Sequence, residues 1–147
     1  MNDVTRSWAE RATALKIDGR MLVDGVRRDT QTGETFAKHS PIDARLLGTI
    51  ARGFAPDIDT AVRSARAAFE DGRWAGKAPA QRKKILQKFS ELILGAKEEL
   101  ALLETLDMGK PIQYSLAVDV PACARCIAWY AEAVDKIYDE KIGRAHV

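Results

Sequence analysis

The chain has 147 residues and a formal net charge of +2, with 46% hydrophobic and 30% charged residues. This composition is typical of a globular domain, and the interleaving of acidic and basic residues predicts neither a nucleic-acid-binding face nor a partner of one charge. The apolar runs are shorter than the roughly 20 residues that span a bilayer. The segment Met1–Arg11 contains several charged residues, whereas a signal peptide would have an apolar core there. We therefore expect a cytoplasmic protein without membrane contacts.

The first third of the chain predicts a short helix followed by a small antiparallel sheet. The helix is expected within 1–15, with Thr5 as a possible N-cap. Asp24-Gly25 separates two short apolar runs, and this dipeptide is a strong signal for a two-residue hairpin turn. Two further strands are expected over 34–39 and 46–51, joined by a turn at Pro41.

From Pro56 onward the sequence predicts four amphipathic helices. They are expected over 56–71, 79–94, 97–108 and 116–137. Gly72 follows the first helix, and Gly109 with Pro111 closes the third, because a glycine followed by a proline is a common helix stop. Pro121 must either kink the fourth helix or lie in its first turn.

Apolar residues repeat at helical spacing within these segments. In the second helix the side chains expected to face inward are Ile85, Leu86, Phe89, Leu92 and Ile93. The first and fourth helices carry apolar stripes over 58–69 and 116–137. Together the stripes offer more apolar surface than a small sheet can cover, which predicts that some of it lacks a partner within the chain.

The order of elements and several local strings resemble the N-terminal region of the aldehyde dehydrogenase family. The sequence of 102–111, LLETLDMGKP, resembles the family signature ETLDxGKP, and 58–69 resembles its first long helix. Trp74 follows that helix, and Trp129-Tyr130 lies where the family carries a pair of aromatic residues. The resemblance is collinear from about Met21 to Tyr138. It is nearest to the γ-glutamyl-γ-aminobutyraldehyde dehydrogenases and related amino-aldehyde dehydrogenases.

The resemblance implies an α/β fold in which 1–141 form the N-terminal part of a cofactor-binding domain, truncated before the nucleotide-binding sheet. It implies an oxidoreductase that converts an aldehyde to the carboxylate with NAD or NADP. The implied substrate is an ω-amino or γ-glutamylamino aldehyde of polyamine breakdown, and the implied assembly is a homo-oligomer. The family's nucleophilic cysteine, general base and cofactor-binding turn lie beyond the matched region. We therefore expect the chain alone to be inactive; the alternative is a stand-alone helical interaction module.

We expect the last six residues to have no counterpart in the family. The sequence IGRAHV at 142–147 corresponds to the translation of a common short-read sequencing adapter. Our hypothesis is that the reading frame ends with a DNA fragment, and a natural tail is the alternative. Sequencing of the source DNA beyond codon 141 distinguishes the two.

Asp107 is a candidate cation ligand. It lies in the last turn of the third helix, where the helix dipole disfavours negative charge, so a compensating positive charge is expected. The resemblance implies a structural monovalent cation bound by Asp107 and by the backbone carbonyls of Lys38 and His39, and oxygen ligands suit such a hard cation. A salt bridge to Lys110 or to another surface cation is the alternative.

Asp119 is a candidate substrate contact. The resemblance implies an acidic residue near this position that lines the substrate tunnel and attracts a distant amino group. The structural alternative is a helix cap, because Pro121 follows two residues later. Ala122 stands where some members carry a second acidic residue, which weakens the substrate interpretation.

Cys123 and Cys126 form a C-x-x-C pair, but zinc needs four ligands and the histidines of the chain are His39 and His146. Packing is therefore the expected role of Cys123, which lies on the apolar stripe. Trp129 and Tyr130 are likewise expected to pack.

Overall fold

A computed structural model gives the structure of the chain and describes residues 7–136. Its strands and helices are β1 (Met21–Val23), β2 (Val26–Arg28), β3 (Thr35–His39), β4 (Leu46–Ala51), α1 (Trp8–Ala14), α2 (Ala55–Glu70), α3 (Pro79–Gly95), α4 (Lys97–Met108), α5 (Ile112–Tyr114) and α6 (Val120–Ala133). A π-helical segment, Ser115–Asp119, joins α5 to α6. The predicted order, a β segment followed by helices, is confirmed. Thr5, Ile137 and 142–147 lie outside the described residues.

Ser7 is the N-cap of α1. Its hydroxyl accepts a hydrogen bond from the backbone N–H of Glu10, and the Glu10 carboxylate accepts one from the Ser7 backbone at 2.7 Å. This reciprocal capping box satisfies N–H groups that the first turn leaves unpaired. The hydrogen bond from the Ser7 backbone also holds the pKa of Glu10 below its ordinary value.

The β segment consists of two separate hairpins, so the prediction of one small sheet is wrong. The first hairpin pairs β1 with β2 through Asp24 and Gly25, whose φ angles of 53° and 73° are those of a type I′ turn, as the sequence predicted. The second pairs β3 with β4, from Thr35 opposite Ala51 onward. The turn between β3 and β4 is also where it was expected.

Gly19 connects the two hairpins by close backbone approach. It forms a parallel bridge with Ile50, and its carbonyl accepts a hydrogen bond from the Ala51 N–H at 2.8 Å. A Cβ on Gly19 would lie 2.1 Å from the Thr49 carbonyl oxygen. The contact therefore depends on the absence of a side chain at this position.

Asp57 links the loop after β2 to the start of α2 by hydrogen bonds. It is buried, and its two carboxylate oxygens accept hydrogen bonds from the Gln31 N–H at 2.9 Å and the Phe54 N–H at 3.0 Å. The negative charge also lies at the positive end of the helix dipole, as the sequence predicted.

We expect Asp57→Ala to lower the free energy of unfolding by about 1–3 kcal/mol, because it leaves the N–H groups of Gln31 and Phe54 without the acceptor that they share in a part-buried position. Asp59→Ala is the matched control, since Asp59 is an exposed acid in the same turn; its effect should stay within about 0.5 kcal/mol. Urea denaturation followed by circular dichroism measures both. Equal effects of the two variants would contradict the role given to Asp57.

The buried core is small and lies mainly in α4 and α6. The buried hydrophobic residues of 7–136 are Val23, Ala101, Leu102, Leu106, Val120, Ala124 and Ala131. Helix α3 packs along α6, where the Ser90 hydroxyl donates to the Ala124 carbonyl at 2.7 Å. Near the other end, Lys83 and Gln87 donate to the Glu132 carboxylate at 2.5 and 3.0 Å.

The apolar face of α3 points away from this core, so the predicted inward side chains are partly wrong. Ile85, Phe89 and Leu92 are exposed, whereas Leu86 and Ile93 are half-buried. Helix α2 likewise exposes Ile58, Val62 and Phe69, the last to 69%. The predicted excess of apolar surface is confirmed. Within 7–136 no helix combines the length and apolar character needed to span a membrane.

Candidate functional site

Helix α4 ends at a glycine in the left-handed conformation, as the sequence predicted. Gly109 has a φ of 76°, and its N–H donates to the Thr105 carbonyl at 2.9 Å. A Cβ at this position would come within 3.2 Å of the Pro41 ring. The glycine therefore brings the end of α4 against the turn between β3 and β4.

The predicted continuous fourth helix is interrupted by the π-helical segment. The Val120 N–H donates to the Ser115 carbonyl five residues earlier. Pro121, in the first turn of α6, has no N–H to offer the carbonyl of Ala117. Of the two alternatives for Pro121, the first-turn position is confirmed. Such π-helical turns are frequent at functional sites.

The π-helical segment places Asp119 beside Lys110, with which it forms an ion pair. The side chain of Asp119 makes no capping hydrogen bond, so the helix-cap alternative is wrong. Hydrogen bonding to the Asp119 carboxylate raises the pKa of Lys110. Stabilisation from this pairing is complete below the ordinary lysine pKa and is lost as the pH rises through the raised value.

Lys38 supplies the positive charge near Asp107. Its ammonium lies 2.6 Å from the Asp107 carboxylate, whereas Lys110 is engaged by Asp119. His39 is exposed at the end of β3, paired with Leu46 in the strand register. Among the described residues no three His, Cys, Asp or Glu side chains cluster as a metal site would require. A monovalent cation held mainly by backbone carbonyls stays a prediction.

Cys123 and Cys126 are both free and exposed on α6, so the packing role expected for Cys123 is wrong for this chain. Trp129 and Tyr130 are exposed too, to 65% and 60%, and their rings meet edge to face with centroids 4.9 Å apart. The packing partners expected for this aromatic pair do not lie within 7–136.

Sequence reasoning missed the polar contacts that join α4 to the π-helical segment. Ser115 is fully buried there, with its hydroxyl 3.4 Å from that of Thr105. It also missed the pairing of Lys110 with Asp119. The available signal was a pair of opposite charges, Lys110 and Asp119, on either side of the short helix α5. Their contact depends on the π-helical turn, which no sequence pattern predicts.

Comparison with known proteins identifies the family. The profile described as "Aldehyde dehydrogenase family" matches residues 28–146. The chain belongs to the aldehyde dehydrogenase family. It is 47% identical over 133 residues to the NADP/NAD-dependent aldehyde dehydrogenase PuuC of Escherichia coli (strain K12), and the match covers 90% of this aldehyde dehydrogenase chain and 27% of that protein.

Solved aldehyde dehydrogenases share the fold. The γ-glutamyl-γ-aminobutyraldehyde dehydrogenase of Burkholderia cenocepacia J2315 matches with a TM-score of 0.86 and 46% identity over 88% of this chain and 26% of that one. The P. syringae indole-3-acetaldehyde dehydrogenase AldA, in complex with NAD+ and IAA, matches with a TM-score of 0.90 and 50% identity over 95% and 28%. The predicted aldehyde dehydrogenase fold is confirmed, and the chain spans about a quarter of the length of the curated relatives it matches.

The described part of this aldehyde dehydrogenase chain does not contain a glycine-rich turn that would bind the pyrophosphate of a dinucleotide. Its connection from strand to long helix, between β4 and α2, contains the single glycine Gly53. A pyrophosphate is usually held where a glycine-rich turn opens a helix after a strand. We therefore assign no residue of 7–136 to the cofactor.

Proposed function

We propose that this chain is part of an NAD- or NADP-dependent enzyme that oxidises an aldehyde carrying an amino or γ-glutamylamino group to the carboxylate. The observation that carries the proposal is the family match over 28–146. The names of PuuC, an NADP/NAD-dependent enzyme, and of the B. cenocepacia γ-glutamyl-γ-aminobutyraldehyde dehydrogenase support the cofactor and the substrate class. A cytoplasmic homo-oligomer is the form we propose for the whole enzyme.

The substrate class is tested with the full-length enzyme recovered from the source DNA. We expect kcat/KM to be highest for γ-aminobutyraldehyde or its γ-glutamyl conjugate, with either NAD+ or NADP+. Butyraldehyde is the matched neutral substrate, and indole-3-acetaldehyde represents the competing specificity of the P. syringae relative. A preference for indole-3-acetaldehyde or butyraldehyde would overturn the substrate class and leave the family unchanged.

Within this proposal, Asp119 attracts the amino group of the substrate. The ion pair with Lys110 opposes this attraction, because the Lys110 ammonium competes with the substrate amino group for the Asp119 carboxylate. The half-buried position of Asp119, the last residue of the π-helical segment, supports a functional use of its charge.

Two charge-removing variants separate attraction from simple structural pairing. Asp119→Asn should lower kcat/KM about fivefold for γ-aminobutyraldehyde and less for butyraldehyde, since a partly exposed ion pair is worth about 1 kcal/mol. Lys110→Met should raise kcat/KM for γ-aminobutyraldehyde, because the carboxylate loses its competing partner. Steady-state kinetics with both aldehydes measure these changes. If both variants lower kcat/KM equally for the two aldehydes, the pair is structural only.

A structural monovalent cation bound by Asp107 and the carbonyls of Lys38 and His39 is the second part of the proposal. It requires the Lys38 ammonium, which lies 2.6 Å from Asp107, to move away. Oxygen ligands and the negative charge at the end of α4 support it. Thermal melts of the full-length enzyme in sodium, potassium and tetramethylammonium chloride test it, with Asp107→Asn as the variant that should abolish any difference.

A further inference from the structure

The two cysteines of α6 are placed on one outward face of the helix. Cys123 and Cys126 are three residues apart, a spacing that puts side chains next to each other on a helix surface. Ala124 and Ala131 lie on a different face, where they are buried. Both cysteines are therefore exposed at neighbouring positions on the surface of α6.

The spacing restricts what the two thiols can do together. Neighbouring side chains at this spacing have Cβ atoms about 5–6 Å apart, whereas a disulfide needs roughly 3.5–4.5 Å. Direct oxidation would thus distort the helix. A single atom bound to both sulfurs spans the larger gap without that distortion.

The surroundings restrict the ligand further. Within 7–136 there is no third His, Cys, Asp or Glu that joins the pair into a metal-binding group. The described residues therefore do not supply the four ligands of a tetrahedral zinc site. A soft centre that binds only two thiolates fits the pair.

The geometry points to a dithiol site at Cys123 and Cys126 that binds a monosubstituted trivalent arsenical. With phenylarsine oxide, two As–S bonds form and the As–O bond breaks. The two thiol protons leave with that oxygen as one water molecule, and no atom changes oxidation state. The site is independent of the proposed aldehyde oxidation.

Phenylarsine oxide binding to the 147-residue chain, diluted until light scattering shows a monomer, tests the site, because the chain contains only these two cysteines. We expect one arsenic per chain by intact mass and loss of both free thiols on titration. Excess glutathione should not displace it, whereas 2,3-dimercaptopropanol should. Cys123→Ser and Cys126→Ser should each weaken binding on the order of 100-fold, since the second bond is no longer intramolecular.

A matched variant tests the role of the helix. The double variant C126S/R125C keeps two thiols but places them two residues apart, where helical side chains do not face each other. Its affinity should fall to that of the single-cysteine variants. Binding as tight as that of the original pair, or two arsenic atoms on the original chain, would overturn the proposal.

Discussion

Replacing Gly19 with alanine is expected to lower the free energy of unfolding by at least about 3 kcal/mol. The new Cβ would lie 2.1 Å from the Thr49 carbonyl oxygen and 2.9 Å from the Ile50 Cα. Backbone atoms cannot move aside as a flexible side chain can, so the bridge to β4 and its hydrogen bond to the Ala51 N–H must open. The two hairpins would then lose the contact that joins them.

Gly95→Ala is the matched control for this substitution. Gly95 ends α3, and a Cβ there meets nothing within 4 Å. Alanine favours a helix over glycine by up to about 1 kcal/mol, so this variant should be neutral or slightly stabilised. Soluble yield and the midpoint of thermal unfolding of the full-length enzyme measure both variants. A Gly19→Ala protein that melts within a degree or two of the parent would contradict the account of the bridge.

The isolated 147-residue chain is expected to show no aldehyde-dependent reduction of NAD+ or NADP+ and to self-associate. The exposed apolar side chains include Leu22, Phe69, Met108 and Trp129, each above 60%. Exposed surface of this kind usually belongs to an interface or causes aggregation.

Spectrophotometry of NADH formation, dye binding and light scattering measure this expectation, with the full-length enzyme as control. Full-length protein should be active, and it should bind little of a dye that reports exposed apolar surface. An isolated chain that melts cooperatively as a monomer without dye binding would instead favour the stand-alone interaction module. Aldehyde oxidation by the isolated chain would contradict the assignment of catalysis to other parts of the enzyme.

Local sequence signals correctly predicted those structural features that have a local cause. The C-terminal end of α4 follows from Gly109, because a residue that tolerates positive φ commonly ends a helix in this way. The first hairpin follows from Asp24-Gly25 for the same reason. The family resemblance rested on short strings in collinear order, and the comparisons confirm it.

The predictions that failed concerned the particular side chain or helix that lies opposite a residue. Periodicity shows that α3 has an apolar face, but it does not show which face packs against α6. In the structure the face bearing Ser90 packs against α6, and Phe89 stays exposed. Cys123 was expected to pack for the same reason. The helix cap, the structural alternative for Asp119, was inferred from its distance to Pro121, whereas the structure pairs Asp119 with Lys110, which α5 and the π-helical turn bring near. Such contacts arise from the path of the chain, which a local pattern does not encode.

The π-helical segment has a consequence for the rotational phase of the helix that follows it. An α-helix advances about 100° per residue, so one additional residue would ordinarily turn every later side chain by about a quarter of a circle. A π-helical turn closes over five residues instead of four, so Ser115–Asp119 takes up one extra residue within a single turn. The chain therefore carries that residue while α6 keeps Trp129 and Tyr130 on its outward face.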